Sequence, residues 1–207
     1  MKTFNQFINF RLIALLLAAI TIVSCSNDDD AAPPEENEVE VITNVSLVFT
    51  NVADPSDVVT ATAVDPDGEG VQELQIVDDI TLTVDTEYLL SFVILNALDP
   101  NDVEDIGEEI LEEDDEHQIF FSFTNDSFAN PTGNGNIDNA SDPVNYNDQD
   151  DNGNPVGLST SWTTSSTTFT GRTFRVRLQH QPDIKTGTTG ATDGDTDFDL
   201  TFDLSVQ

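Results

Sequence analysis

Apolar and polar residues alternate along most of the chain from residue 39 onward, and this period-two pattern predicts β-strands. In the first predicted strand, from Val39 to Phe49, every second residue is apolar or a threonine. The other predicted strands are 58–64, 74–77, 80–84, 88–97, 117–123, 158–164, 173–180 and 198–206. Because clusters of Gly, Asp, Asn and Pro separate them, the sequence predicts an all-β fold, a single antiparallel β-sandwich with Ig-like character.

Three segments of this region do not alternate. Residues 100–113 predict one short acidic helix, since Asp99 is a suitable N-cap and Pro100 is favoured at the first helical position. The apolar residues of this segment fall on one helical face, and Asp and Glu dominate the other. The other two segments, 125–157 and 181–195, are predicted loops. Loops of that length are more often functional or mobile than idle.

The first 24 residues resemble a lipoprotein signal peptide. Lys2 and Arg11 supply positive charge, and the following apolar run spans about 18 Å as a helix, too short for a bilayer core of about 30 Å. Two aliphatic residues and a serine stand directly before Cys25, which resembles a lipobox. We therefore predict that residues 1–24 are removed and that Cys25 carries the lipid anchor. The alternative is an ordinary secretory signal with a chance cysteine.

Residues 25–38 predict a lipidated cysteine followed by a disordered acidic tether, because no apolar residue in 26–38 is larger than alanine. An acidic run at this place resembles the export tag of Bacteroidota surface lipoproteins. The expected location is therefore the outer membrane, lipid-anchored and facing the cell surface. Residues 39–207 form the predicted β-sandwich domain.

Charge, cysteine content and the motifs that are missing reduce the number of possible functions. The chain has 40 acidic and six basic residues, so it repels nucleic acid and attracts cations. Cys25 is the only cysteine, which excludes an intrachain disulfide and a cysteine-based zinc site. There is no Gly-x-Ser-x-Gly, phosphate-loop or His-Glu-x-x-His motif, so we predict that the protein is not an enzyme.

The two histidines are the first candidate site. His117 begins a predicted strand and His180 ends another, and each shares parity with the apolar residues of its strand. If the strands are antiparallel neighbours, or face each other across the sandwich, both imidazoles reach the same end of the core. With Glu116 and Asp183 they would suit a transition metal such as Zn²⁺, Cu²⁺ or Fe²⁺. The alternative is a pair of core-edge histidines with backbone or carboxylate partners.

The second candidate site lies in the loop at 148–157. Asp148, Asp150 and Asn152 stand at alternate positions before a glycine, like the first half of a Ca²⁺ loop. The glutamate expected at position twelve is replaced by Ser159, so the segment is not an EF-hand. Bound Ca²⁺ would need oxygen ligands from elsewhere. The alternative is a hairpin turn made of residues that tolerate left-handed backbone.

Four segments carry a resemblance to a group of proteins. DDEHQIFF (114–121), DQDDNGNPVG (148–157), LQHQPDIK (178–185) and TDFDLTFDLSVQ (196–207) resemble small flavobacterial surface lipoproteins of unknown function. Some of these are named "type 1 periplasmic binding fold superfamily protein". That name implies two α/β lobes and a longer chain, which disagrees with the strand-rich pattern here. The resemblance implies no particular activity.

The sequence thus favours a non-enzymatic module that captures or presents a ligand for an uptake system. A metal is the candidate ligand, and a TonB-dependent outer-membrane receptor is the candidate partner. The competing hypothesis is a structural or adhesive surface module whose loops are stabilised by Ca²⁺.

Overall fold

The computed structural model describes residues 40–68 and 73–207, so the predicted signal peptide, Cys25 and the tether lie outside the described residues. Residues 39–207 form one compact unit. No helix in the described part of the chain is long and apolar enough to cross a membrane. The elements in chain order are β1 (Asn44–Asn51), β2 (Val58–Val64), β3 (Gln75–Ile76), β4 (Ile80–Leu82), β5 (Glu87–Asn96), β6 (Glu104–Asp105), α1 (Ile106–Glu112), β7 (His117–Phe123), β8 (Phe128–Asn130), β9 (Ser159–Thr164), β10 (Phe169–His180) and β11 (Asp195–Val206).

The strands form two sheets in a sandwich-like arrangement. The first sheet has the order β3-β2-β1-β5-β9-β8, with β6 pairing beside the end of β5. The second has the order β4-β11-β10-β7. All pairs are antiparallel except β4 with β11. The predicted fold, an all-β antiparallel sandwich with one short helix, is confirmed.

The core follows from the alternation that predicted the strands. In β1 the odd-numbered Val45, Leu47 and Phe49 are fully buried, whereas their neighbours are partly exposed. Trp162 of β9 is also fully buried and lies 5.0 Å from the ring centroid of Phe174 in the opposite sheet. Burial of each such large side chain stabilises the fold by about 1.5–3 kcal/mol, so this aromatic contact holds the two sheets together.

The helix is shorter than the sequence predicts. It begins at Ile106, and its N-cap is Asp105, whose carboxylate accepts a hydrogen bond from the backbone N–H of Gly107. The predicted cap, Asp99, instead accepts from the N–H of Asn101 in a separate turn. The predicted first helical turn was wrong because Glu104 and Asp105 pair as a strand with the end of β5.

The long loop 125–157 is packed against the sandwich. Its Asn136 side chain accepts a hydrogen bond from the N–H of Phe121, and the carbonyl of Val156 accepts one from the N–H of Ile119. Part of the loop also forms the short strand β8, which the sequence analysis did not predict. The loop therefore satisfies the open edge of β7, which would otherwise present unpaired backbone groups.

Candidate metal centre

The two histidines are cross-strand partners. β7 and β10 are antiparallel neighbours, and their register places His117 directly opposite His180. The imidazole rings stack with a centroid distance of 4.3 Å and an interplanar angle of 9°. Their relative exposures are 0% and 5%. The sequence allowed the two strands to be antiparallel neighbours or to face each other across the sandwich. The structure shows that they are antiparallel neighbours in one sheet.

The two ring nitrogens of His117 have different environments. Nδ1 lies 3.2 Å from the backbone carbonyl oxygen of Glu113, which can only accept, so Nδ1 carries the proton. Nε2 is buried, has no hydrogen-bond partner and lies 3.5 Å from Oε1 of Glu40. Burial, followed by repulsion from His180, lowers the pKa of His117 to about 4. His117 is thus neutral at pH 7 with the lone pair on Nε2, the form that binds metals.

Glu40 is a buried carboxyl group in acidic surroundings. Its side chain is 11% exposed, and Oε2 has no hydrogen-bond partner. Burial raises the pKa of Glu40 to about 8, and repulsion from Asp197, Glu109 and Glu113 contributes. A carboxyl group with this pKa is largely protonated at neutral pH. A divalent cation placed beside it would offset this repulsion and replace the proton.

Asp197 is directed to this end of the sandwich by a β-bulge. The register pairs Leu178 with Phe198 but Gln179 with Thr196, so Asp197 is left unpaired. Its Oδ2 atom is buried and has no hydrogen-bond partner. Burial raises the pKa of Asp197 to about 6, an effect that His180 opposes and Asp195 strengthens.

Of the two acidic residues predicted as ligands, Glu116 lies beside the histidine pair and Asp183 does not. Glu116 contacts His180, with 3.2 Å between Oε2 and Nε2. Ligand atoms of Glu113, His117 and His180 all lie within 4.8 Å of one another. Asp183 is not in this group. It is exposed and has a positive φ of 60°, because the chain turns away after β10. Glu113, the C-cap of α1 and four residues before His117, takes the place in this group that was predicted for Asp183.

Sequence reasoning missed Glu40 and Asp197. The alternation of residues 39–49 assigned Glu40 to the polar face, but Ile42 and Thr43 are both buried, so the buried parity changes before β1 begins. Asp197 lies in an apparently regular Asp-x-Asp alternation with Asp199, and nothing in that pattern indicates a bulge. Neither position carries a signal in the sequence that could have revealed it.

The distance between His117 Nε2 and Glu40 Oε1 is compatible with two ligands of one tetrahedral ion. Two ligands bound to Zn²⁺ at about 2.05 Å with a tetrahedral angle are about 3.3 Å apart. The separation of 3.5 Å between His117 Nε2 and Glu40 Oε1 is close to this value. The Nε2 atom of His180 lies 3.2 Å from Oε2 of Glu116, so these two atoms form a second possible ligand pair beside the stacked rings. Glu113 lies on the other side of the imidazole ring, with 3.9 Å between its Oε2 atom and Nδ1 of His117, so it would reach an ion on Nε2 only by changing its side-chain conformation.

The loop at 148–157 is built differently from a calcium site. The carboxylate of Asp148 accepts hydrogen bonds from the N–H groups of Gly157 and Ser159. Asp150 accepts from backbone N–H groups within the loop and lies 3.4 Å from the ammonium group of Lys185, with both side chains buried.

These contacts leave the loop carboxylates with protein partners, and the ammonium group already provides a cation. Asn152 is exposed and donates its backbone N–H to Asp150. Gln149 and Pro155 form an antiparallel bridge across the turn. The structure therefore favours the hairpin alternative over bound Ca²⁺ at Asp148, Asp150 and Asn152.

Comparisons with known proteins do not identify the chain. No protein-family model matches it, and neither a curated protein nor a solved structure is similar to it. The resemblance to flavobacterial surface lipoproteins therefore stays a prediction.

Proposed function

We propose that this domain is a non-enzymatic module that captures a transition-metal ion and presents it to an uptake system. The observation that carries the proposal is the unpartnered Nε2 atom of His117, buried 3.5 Å from Glu40. The hydrogen bond from Nδ1 to the Glu113 carbonyl fixes the tautomer and the ring orientation. Metal-binding histidines in proteins are held in the same way.

The donor set indicates which ions would bind. Imidazole nitrogen and carboxylate oxygen suit Zn²⁺, Cu²⁺ and Fe²⁺, whereas Cu⁺ prefers the sulfur of cysteine or methionine. No cysteine occurs after residue 25, and Met1 is the only methionine. The excess of acidic residues also attracts cations from solution and raises their local concentration.

The proposed place of action rests on the sequence. Lipidation of Cys25, followed by an acidic tether, would hold the module at the outer membrane with the domain facing the medium. A TonB-dependent receptor in the same membrane would be the partner that receives the ion. The partner's identity follows from this location and not from a contact surface.

The proposal is tested by thermal unfolding of the chain from Ser26 onward, with and without Zn²⁺ or Cu²⁺. An ion at about 100 times its Kd stabilises the fold by about 2.7 kcal/mol, which corresponds to about 5–10 °C in Tm. We expect this rise in the wild type and in Glu112→Gln, which removes a charge outside the cluster. The double variant His117→Gln with His180→Gln should lose it. An equal rise in all three proteins would contradict the proposal.

The same titration with Ca²⁺ tests the competing hypothesis of a structural or adhesive module. No contact in the described residues favours it. A Tm that rises with Ca²⁺ and loses this rise in Asp150→Asn would nevertheless favour the adhesive module over metal capture. We expect no dependence on Ca²⁺, because Lys185 already neutralises Asp150.

A further inference from the structure

Between its two ends, the outer face of four adjacent strands in the first sheet is uncharged, and we call this surface the uncharged face. Glu87, at the start of β5, is the only charged residue in the four adjacent strands β2, β1, β5 and β9. The chain as a whole has 40 acidic residues, so a surface of this size without charge is unusual in it. The outer face of the second sheet, in contrast, carries Arg175, Arg177 and Asp199.

The side chains on this uncharged face are aliphatic or hydroxyl-bearing. In β1, Val48 lies between Thr60 of β2 and Ser91 of β5. Leu89 and Val93 of β5 are 40% and 43% exposed. Four strands at about 4.8 Å spacing and seven residues at about 3.3 Å give a face of about 19 Å by 23 Å. Such a surface carries no ionised group to desolvate, and each hydroxyl group that it buries needs a hydrogen-bond partner in the complex.

The charge distribution decides which partner fits this face. A basic partner would bind the acidic remainder of the molecule. A sugar would need an aromatic platform, but Tyr88 and Trp162 in these strands are fully buried and point inward. A second copy of this chain presents the same neutral face, so two such acidic molecules can meet there with few opposing carboxylates.

We propose that the uncharged face is a homodimer interface, in which the same face of two copies packs together about a twofold axis. The contact is symmetric, so Val48 and Val93 of each copy enter the interface. The proposal is independent of the metal centre, because β1, β2, β5 and β9 contribute none of its ligands.

The area of the face sets the strength of the dimer. Specific interfaces bury about 800 Å² per partner, and this face is smaller. A dissociation constant in the micromolar range or weaker is therefore expected. Acidic residues such as Glu87 and Asp105 stand at the ends of the face. Their repulsion between copies is screened by salt, so association should strengthen as the salt concentration rises.

Sedimentation velocity of the chain from Ser26 onward tests the proposal at protein concentrations from 1 to about 500 μM. We expect concentration-dependent dimers in the wild type, with tighter association in 0.5 M than in about 0.05 M NaCl. Val48→Glu and Val93→Glu should each weaken association at least tenfold, because each places two carboxylates in one symmetric interface. The matched control Thr201→Glu adds the same charge on the outer face of the second sheet and should dimerise like the wild type.

Two results would overturn the proposal. The first is a wild type that stays monomeric throughout the concentration range at both salt concentrations. The second is a Thr201→Glu variant that loses association as strongly as Val48→Glu. All four proteins should have the same Tm within about 3 °C, since the substituted side chains point outward and do not enter the core. If Val48→Glu or Val93→Glu falls outside this range, Val48→Lys takes its place, and the same loss of association is expected.

Discussion

Three buried polar atoms at the histidine end of the sandwich have no hydrogen-bond partner among the described residues: His117 Nε2, Glu40 Oε2 and Asp197 Oδ2. An unsatisfied buried polar group costs about 1–3 kcal/mol, and folded proteins contain few of them. The proposed metal centre accounts for three such atoms around one pair of imidazoles, because a bound cation would offset their unpaired charge and lone pairs. This residue-scale feature favours the proposed metal centre over an ordinary pair of core histidines.

The pH dependence of stability tests the surroundings of Glu40. Its pKa of about 8 lies above its ordinary value of 4.5, so the folded chain keeps a proton that the unfolded chain has released between these values. Stability therefore falls as the pH rises from 4.5 to 8, with an upper limit of about 5 kcal/mol. Glu40→Gln is neutral at every pH and should lose this part of the decline.

Urea unfolding of the wild type and Glu40→Gln at pH 5, 6.5 and 8 measures the effect. The lowered pKa of His117 acts in the opposite direction, since it reduces stability as the pH falls from 6.5 to about 4. Because both proteins contain His117, its contribution is common to the two curves. Parallel curves for the two proteins would mean that Glu40 is ionised in the folded state.

At the scale of elements, alternation predicted the strands whose two faces differ most. The strand His117–Phe123 has the predicted bounds, and its parity gave the correct placement of both imidazoles at one end of the core. The predicted start of the helix was wrong because pairing with a neighbouring strand overrides the local preference for helix. Glu104 and Asp105 have the composition of a helix start, yet they pair with β5. The three-residue strand β8 is too short for a periodic pattern.

A pair of glycines in the long loop tests how tightly it docks on β7. Gly135 has a φ of 83°, and a Cβ atom there would lie 2.2 Å from the carbonyl oxygen of Phe121. Gly133 has a φ of 97° with no atom within 4 Å of such a Cβ. Both alanine variants strain the backbone, by about 1 kcal/mol each, but only Gly135→Ala also forces the loop away from the strand. We expect Gly135→Ala to be destabilised by at least about 2 kcal/mol more than Gly133→Ala.

Chemical denaturation of the two glycine variants measures this difference, and Gly133→Ala serves as the matched control for backbone strain. Equal losses of stability would show that the loop is free to move away from β7. The contact of Asn136 with Phe121 would then contribute little to the fold.

At the scale of the whole molecule, the sequence pattern predicted the sandwich fold, but it predicted only some of the residues around the histidine pair. Alternation over the chain defines two buried faces, and therefore a sandwich. The histidine pair follows from parity within two strands. Glu40 and Asp197 join the pair through a change of parity and a bulge, which depend on the neighbouring strand and leave no trace in the local pattern.

The predicted lipid anchor is tested by Cys25→Ser in cells. The hydroxyl group cannot be acylated by the lipoprotein pathway, so we expect the protein to move from the membrane fraction to the soluble fraction. The anchor is predicted to carry several acyl chains, and each buried methylene group contributes about 0.8 kcal/mol. Fractionation followed by immunoblotting measures the change, and Ser26→Ala is the matched control. Unchanged membrane association without acylation would contradict the anchor.

The buried ion pair of Lys185 with Asp150 has a practical consequence for the study of this protein. After residue 25 the chain has only four basic residues, Arg172, Arg175, Arg177 and Lys185. The arginines lie within β10, and the one lysine is shielded by its partner. Trypsin and amine-reactive biotin would therefore leave the folded domain uncut and unlabelled, even if it lies on the cell surface as predicted. A glutamate-specific protease or carboxyl-directed labelling would detect it.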